Sequence, residues 1–173
     1  MSEDKLTIDD KLAIKELEEK IEGMKADKEK KCKAAKQQLV EMLEVTVDKY
    51  RTATGTAEAL RIVRFVNGSD NKRADIVDAN KLAWQMAGEA QLMKERAEKL
   101  PYDKMDKICD GSYMKEFQSS NYLDLAFEMM RIDLCRNVGG AAEDMVEFVK
   151  RVQEEIDQTG EELKKLKAKG KEN

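Results

Sequence analysis

The sequence predicts an all-α protein, a helical bundle with an antiparallel two-helix coiled-coil stalk formed by its N- and C-terminal helices. Three observations predict this. Charged residues make up 39% of the chain, against roughly 25% in an average globular protein, with Ala, Glu, Lys and Leu in surplus. Pro101 is the single proline in 173 residues, so long stretches carry no helix stop of that kind. Apolar residues recur at steps of three and four, and no sustained alternation of period two marks a strand.

The first helix is expected to begin at Thr7. In "TIDD" Thr7 is the N-cap and Asp10 stands three residues on, as in a capping box. Apolar positions follow at Ile14, Leu17, Ile21 and Met24, then at Cys32, Ala35, Leu39 and Met42. This is the rhythm of a coiled-coil seam. It breaks once, where Lys28 takes a seam position, and reads as a stutter. This helix is expected to run to about Thr52, with "TATGT" ending it near Gly55.

A short helix is expected over about residues 57 to 66, stopped by Asn67 and Gly68. Ser69 or Asp70 would cap a third helix running to about Leu100, with a seam at Ile76, Ala79, Ala83, Met86, Ala90, Met93, Ala97 and Leu100. Its alanines allow a neighbouring helix to approach closely. Pro101 fits the first position of a short helix, "PYDKMDKIC". Residues 121 to 137 are apolar on most sides, which predicts a central, buried helix. "NVGG" is expected to end it. A last helix then begins near Ala141, with Ala142, Met145, Val149, Val152, Ile156, Leu163 and Leu166 on its seam and Thr159 as the polar exception.

The chain is thus read as a single helical domain, residues 1–173, with stalk helices at 7–52 and 141–169 and a helical body at about 46–140. Charge sets the orientation of the stalk. "KADKEKKCKAAK" (25–36) is basic and "EEIDQTGEE" (154–162) acidic, while "ELEEKIE" (16–22) is acidic and "KKLKAK" (164–169) basic. Opposite signs face each other when Ile21 pairs with Leu166, Met24 with Leu163 and Ala35 with Val152. That register also sets Lys28 opposite Thr159. Exposed ion pairs contribute only about 0–1 kcal/mol each, so charge chooses direction and the apolar seam supplies stability. A parallel homodimer would set the lysine run beside its own copy.

Composition excludes several functions. The chain has no histidine, which removes Ser-His-Asp and Cys-His catalysis and His-containing metal sites. Cys32, Cys109 and Cys135 form no C-x-x-C pair, as in a reducing compartment with free thiols. The N-terminal stretch has no apolar core of a secretory signal, and no run approaches the roughly 20 apolar residues of a membrane span. A cytoplasmic protein without membrane, metal or cofactor is expected. The residues from Asp106 fail the calcium-loop pattern, since its third and twelfth positions are Ile108 and Phe117. No phosphate-binding glycine loop is present.

The expected function is therefore that of a non-enzymatic interaction module, an adaptor, assembly subunit or inhibitor, docking a helical or aromatic surface on a protein partner. Tyr102, Tyr113 and Phe117 are the interface candidates, because aromatics and Met are enriched at interface cores. The competing reading places Phe117, Tyr122, Phe127, Met129 and Met130 in the core of the body. A second functional reading is a helical subunit of a nucleoprotein complex. Its basic patch would be Arg61, Arg64, Lys72 and Arg73 around the turn "NGSD". The nearby Glu58, Asp70 and Asp75 argue instead for an internal ion network. Monomer and homodimer both fit.

Overall fold

A computed structural model describes residues 6–68, 72–110 and 122–170, with the backbone alone at 72 and 122. The described residues are helical, with no strand among them: α1 (Ile8–Tyr50), α2 (Ala53–Asn67), α3 (Lys72–Lys99), a 3₁₀ helix (Tyr102–Cys109) and α4 (Tyr122–Lys169). They group into two compact units. One joins the residues up to Ala34 with those from Glu147 onward, and the other spans Ala35–Val146.

The start of α1 is capped reciprocally, as its sequence predicts. The Asp10 amide donates to Thr7 Oγ1 at 3.1 Å, and the Thr7 amide and hydroxyl donate to Asp10 Oδ2 at 3.1 and 2.7 Å. These hydrogen bonds hold the Asp10 carboxyl below its ordinary pKa. The end of α2 is also as expected. Gly68 adopts the left-handed conformation (φ 62°) and its amide donates to the Arg64 carbonyl at 2.8 Å.

Two glycine-containing stretches behave differently from their sequence reading. Gly55 does not follow a helix end; it lies in the first turn of α2, which starts at Ala53. A side chain there would meet the Lys49 carbonyl and approach Tyr50 Cα to 2.5 Å. The glycine thus permits close approach of the two backbones. "NVGG" does not stop a helix either, and α4 runs through Gly139 and Gly140 without interruption. Gly weakens a helix interior by only about 1 kcal/mol, whereas proline is the true breaker. Pro101 likewise stands just before its 3₁₀ helix, in extended conformation (φ −66°, ψ 156°), and that helix kinks at Lys104.

In the unit built from the chain ends, the predicted seam is the less exposed side of each segment. Cys32, Ile156 and Thr159 are buried, and Ile14, Leu17, Ile21, Met24, Lys28, Val149, Val152, Leu163 and Leu166 are half-buried. Thr159 satisfies its hydroxyl on the Glu155 carbonyl of its own helix, 2.8 Å. Lys167 donates to Glu18 at 2.6 Å, Lys28 to Gln153 at 3.0 Å, and the Lys31 ammonium lies 5.7 Å from the Phe148 ring centre. Lys167 meets Glu18 within two residues of the level the predicted register gives it, and Lys28 meets Gln153 rather than the level of Thr159. A long lysine side chain can reach along the groove.

The core of Ala35–Val146 draws on every described element. It contains Leu39, Leu43, Val47 and Tyr50 of α1, Ala59 and Val63 of α2, Leu82, Met86 and Met93 of α3, and Met105 and Ile108 of the 3₁₀ helix. Phe127, Met130 and Val138 of α4 complete it. Met42 is exposed and Leu43 takes its place inward, because this stretch follows steps of four. Four small residues of α3, Ala79, Ala83, Ala90 and Ala97, are buried as its alanine seam requires.

Candidate functional site

The unit Ala35–Val146 contains a polar cluster inside its helical packing. Glu89 lies in the middle of α3, within the stripe that buries Met86, Ala90 and Met93, and is itself fully buried. Arg131 of α4 donates from Nε to Glu89 Oε1 at 3.0 Å and from Nη2 to the Cys109 carbonyl at 2.7 Å. The second oxygen of Glu89 and one oxygen of Glu128 are buried without a hydrogen-bond partner among the described residues. A charged pair so enclosed needs its geometry held, since either partner alone would leave a buried charge.

Two cysteines meet beside this pair. Cys109 ends the 3₁₀ helix and Cys135 stands one helical turn after Arg131 on α4. The Cys109 S–H donates to the Cys135 carbonyl oxygen at 3.8 Å, and the two thiols influence each other's ionisation. Hydrogen bonding from the Cys109 thiol, and then the Arg131 charge, bring the Cys135 thiol down to about 7, against burial and the negative charges of Glu89 and Glu128. The same hydrogen bond, burial and the charge on Cys135 push the Cys109 thiol up. Both half-buried sulfurs line a groove of about 490 Å³, with Asp106, Arg131, Ile132, Arg136, Gly139, Gly140 and Glu143 around it. The two glycines leave that wall without side chains.

Among the interface candidates, Tyr102 is half-buried, with the Lys36 ammonium 5.4 Å from its ring centre. That ammonium also donates to the Leu100 carbonyl at 2.8 Å. Tyr113 and Phe117 lie outside the described residues. Phe127 and Met130 are buried core, and Met129 is half-buried.

The basic candidates are dispersed in role. Arg64 pairs at 3.8 Å with Asp75, a fully buried carboxylate; the distance is an ion pair and too long for a hydrogen bond. Arg61 lines a separate small cleft with Lys49, Tyr50 and Glu58. Burial, with help from Glu58, pushes the Tyr50 phenol there up to about 12. Arg73 is exposed, and of Lys72 only the backbone is described.

Sequence reasoning missed an exposed apolar surface on α3. Trp84, the only tryptophan, is 64% exposed, and Val77, two turns earlier on the same face of α3, is 63% exposed. Ile76, expected on the seam, is instead 46% exposed, and Phe65 on the neighbouring α2 is 76% exposed. The signal was available. Val77 and Trp84 stand off the alanine seam at heptad spacing, so a helix with that seam inward turns them out.

Among the described residues, no group of metal-binding side chains and no helix long and apolar enough to cross a membrane is found. No protein-family model, curated protein or solved structure matches the chain.

Proposed function

We propose that the chain is a non-enzymatic interaction module that docks the outer face of α3 on a protein partner in the cytoplasm. The exposure of Trp84 together with Val77 carries this reading. Trp is largely buried in most proteins, and it leads the residues that anchor protein interfaces. Phe65 on α2 is a further exposed aromatic, and Arg73 and Lys81, both exposed on α3, supply polar surroundings. An adaptor, an assembly subunit and an inhibitor all use such a face. The terminal segments are read as an antiparallel coiled coil within one chain, supported by the opposed order of the Glu18–Lys167 and Lys28–Gln153 contacts.

The test compares wild type with Val77→Ser/Trp84→Ser in capture from the native source. The double variant should keep its helical signal and thermal midpoint, and lose the captured protein at moderate salt. Capture of the same protein at equal yield contradicts the docking face. The nucleic-acid reading through Arg61, Arg64, Lys72 and Arg73 predicts the other pattern: binding unaffected by the double substitution and falling steeply with salt. The engagement of Arg64 with buried Asp75 speaks against it.

A further inference from the structure

The paired thiols of the α4 groove carry a second inference, independent of the docking face. Cys109 and Cys135 are distant in sequence, yet the Cys109 thiol donates to the Cys135 carbonyl oxygen at 3.8 Å. They are not sealed in the core: both are half-buried, and both line an open groove. A guanidinium sits beside them, locked by Glu89 and by the Cys109 carbonyl itself. Cys32, by contrast, is 1% exposed in the other unit, with burial pushing its thiol up. Ordinary packing accounts for Cys32. It does not account for two thiols lining one groove, a fixed cation and a cavity with glycine walls in one place.

We propose that Cys135 and Cys109 form a dithiol site that reacts with small hydroperoxides, Cys135 as the nucleophile and Cys109 as the resolving thiol. The Cys135 thiolate attacks the terminal peroxide oxygen. An S–O bond forms, the O–O bond breaks, and its electron pair leaves on the other oxygen, which takes a proton from water. Sulfur is oxidised to the sulfenic acid as the peroxide is reduced to an alcohol or water. Cys109 then loses its proton and attacks the Cys135 sulfur. The S–S bond forms, the S–O bond breaks, and hydroxide leaves with that proton as water. Two thiols and one hydroperoxide thus give a disulfide, an alcohol and water. Arg131, and Arg136 at the groove wall, face the negative charge that develops on the departing oxygen. The disulfide would join the 3₁₀ helix to α4.

The thiolate is the nucleophile, and Cys135, one helical turn from Arg131 on α4 and on the same groove wall, is the thiol whose charge that guanidinium favours. Alkylation of Cys135 by iodoacetamide should therefore rise with a midpoint near pH 7, while Cys109 stays protonated and slow.

The experiment treats the full-length protein with stoichiometric hydrogen peroxide and maps the products by mass spectrometry. The expected product is an intramolecular Cys109–Cys135 disulfide, with Cys32 remaining a thiol. Cys109→Ala should stop at a Cys135 sulfenic acid that dimedone traps. Cys135→Ser should slow peroxide consumption at least about tenfold, the usual scale for losing an activated nucleophile. Two results overturn the proposal: both thiols staying reduced in folded wild type, or Cys109→Ala and Cys135→Ser reacting at the same rate. Arg131→Lys, which keeps the charge, should retain reaction, and its pH profile tells electrostatic help from mere packing.

Discussion

At the scale of single residues, the energetics turn on charges placed inside the helical packing. Glu89 and Arg131 form a pair that is fully and mostly buried, respectively. Arg131→Leu should destabilise the fold by about 3–5 kcal/mol, because it strands the Glu89 carboxylate in a dry site. Glu89→Leu with Arg131→Leu should recover most of that loss. Urea unfolding of the two variants measures both. A double variant as unstable as the single one would mean that packing around the pair, rather than stranded charge, sets the cost. Neither Glu89 nor Asp75 was legible as buried from the sequence. Asp75 lies among other charged residues on α3, where composition describes a solvated flank, and Glu89 is a single charge in the apolar stretch between Lys81 and Lys94. The meeting of Cys109 with Cys135 was equally hidden, because it depends on how the 3₁₀ helix returns to α4. The empty seam position filled by Lys28, by contrast, could be read from spacing alone.

At the scale of elements, glycine decides where the reading succeeded and failed. Gly68 ends α2 as its left-handed φ requires. Gly139 and Gly140 resemble a stop but lie within α4, where an added side chain would meet nothing within 4 Å. Alanine at either position should stabilise the protein by roughly 0.4–1 kcal/mol through the unfolded chain. Gly55→Ala should destabilise it by about 1–3 kcal/mol, since a methyl group there strikes the α1 backbone. Thermal denaturation separates the two signs. Equal effects at Gly55 and Gly139 would contradict the packing described for α2. The helices themselves were legible because their periodicity is long. The caps at Thr7 and Gly68 were legible too, but the continuity of α4 through Gly139 and Gly140 was not, because a glycine pair costs a helix less than its tertiary contacts return.

At the scale of the whole molecule, an all-α chain with both ends in one unit followed from seam and charge read together. The contact register in that unit depends on side-chain reach, which spacing does not report. With the native cysteines replaced by serine, cysteines at positions 18 and 167 should form an intrachain disulfide under mild oxidation. Bonds found only between chains would replace the single-chain pairing with a homodimer. The docking face lay outside the sequence reading, which sought its anchors near Tyr102, Tyr113 and Phe117, and the exposure of Trp84 appears only once the alanine seam of α3 is turned inward. The central claim is that this face is covered by a protein partner. It is tested most directly by a photo-crosslinking amino acid in place of Trp84, irradiated in the native source, with the exposed Glu98 position as control. The account predicts one dominant protein adduct from position 84 and none above background from position 98. Equal, diffuse labelling from both positions would contradict it.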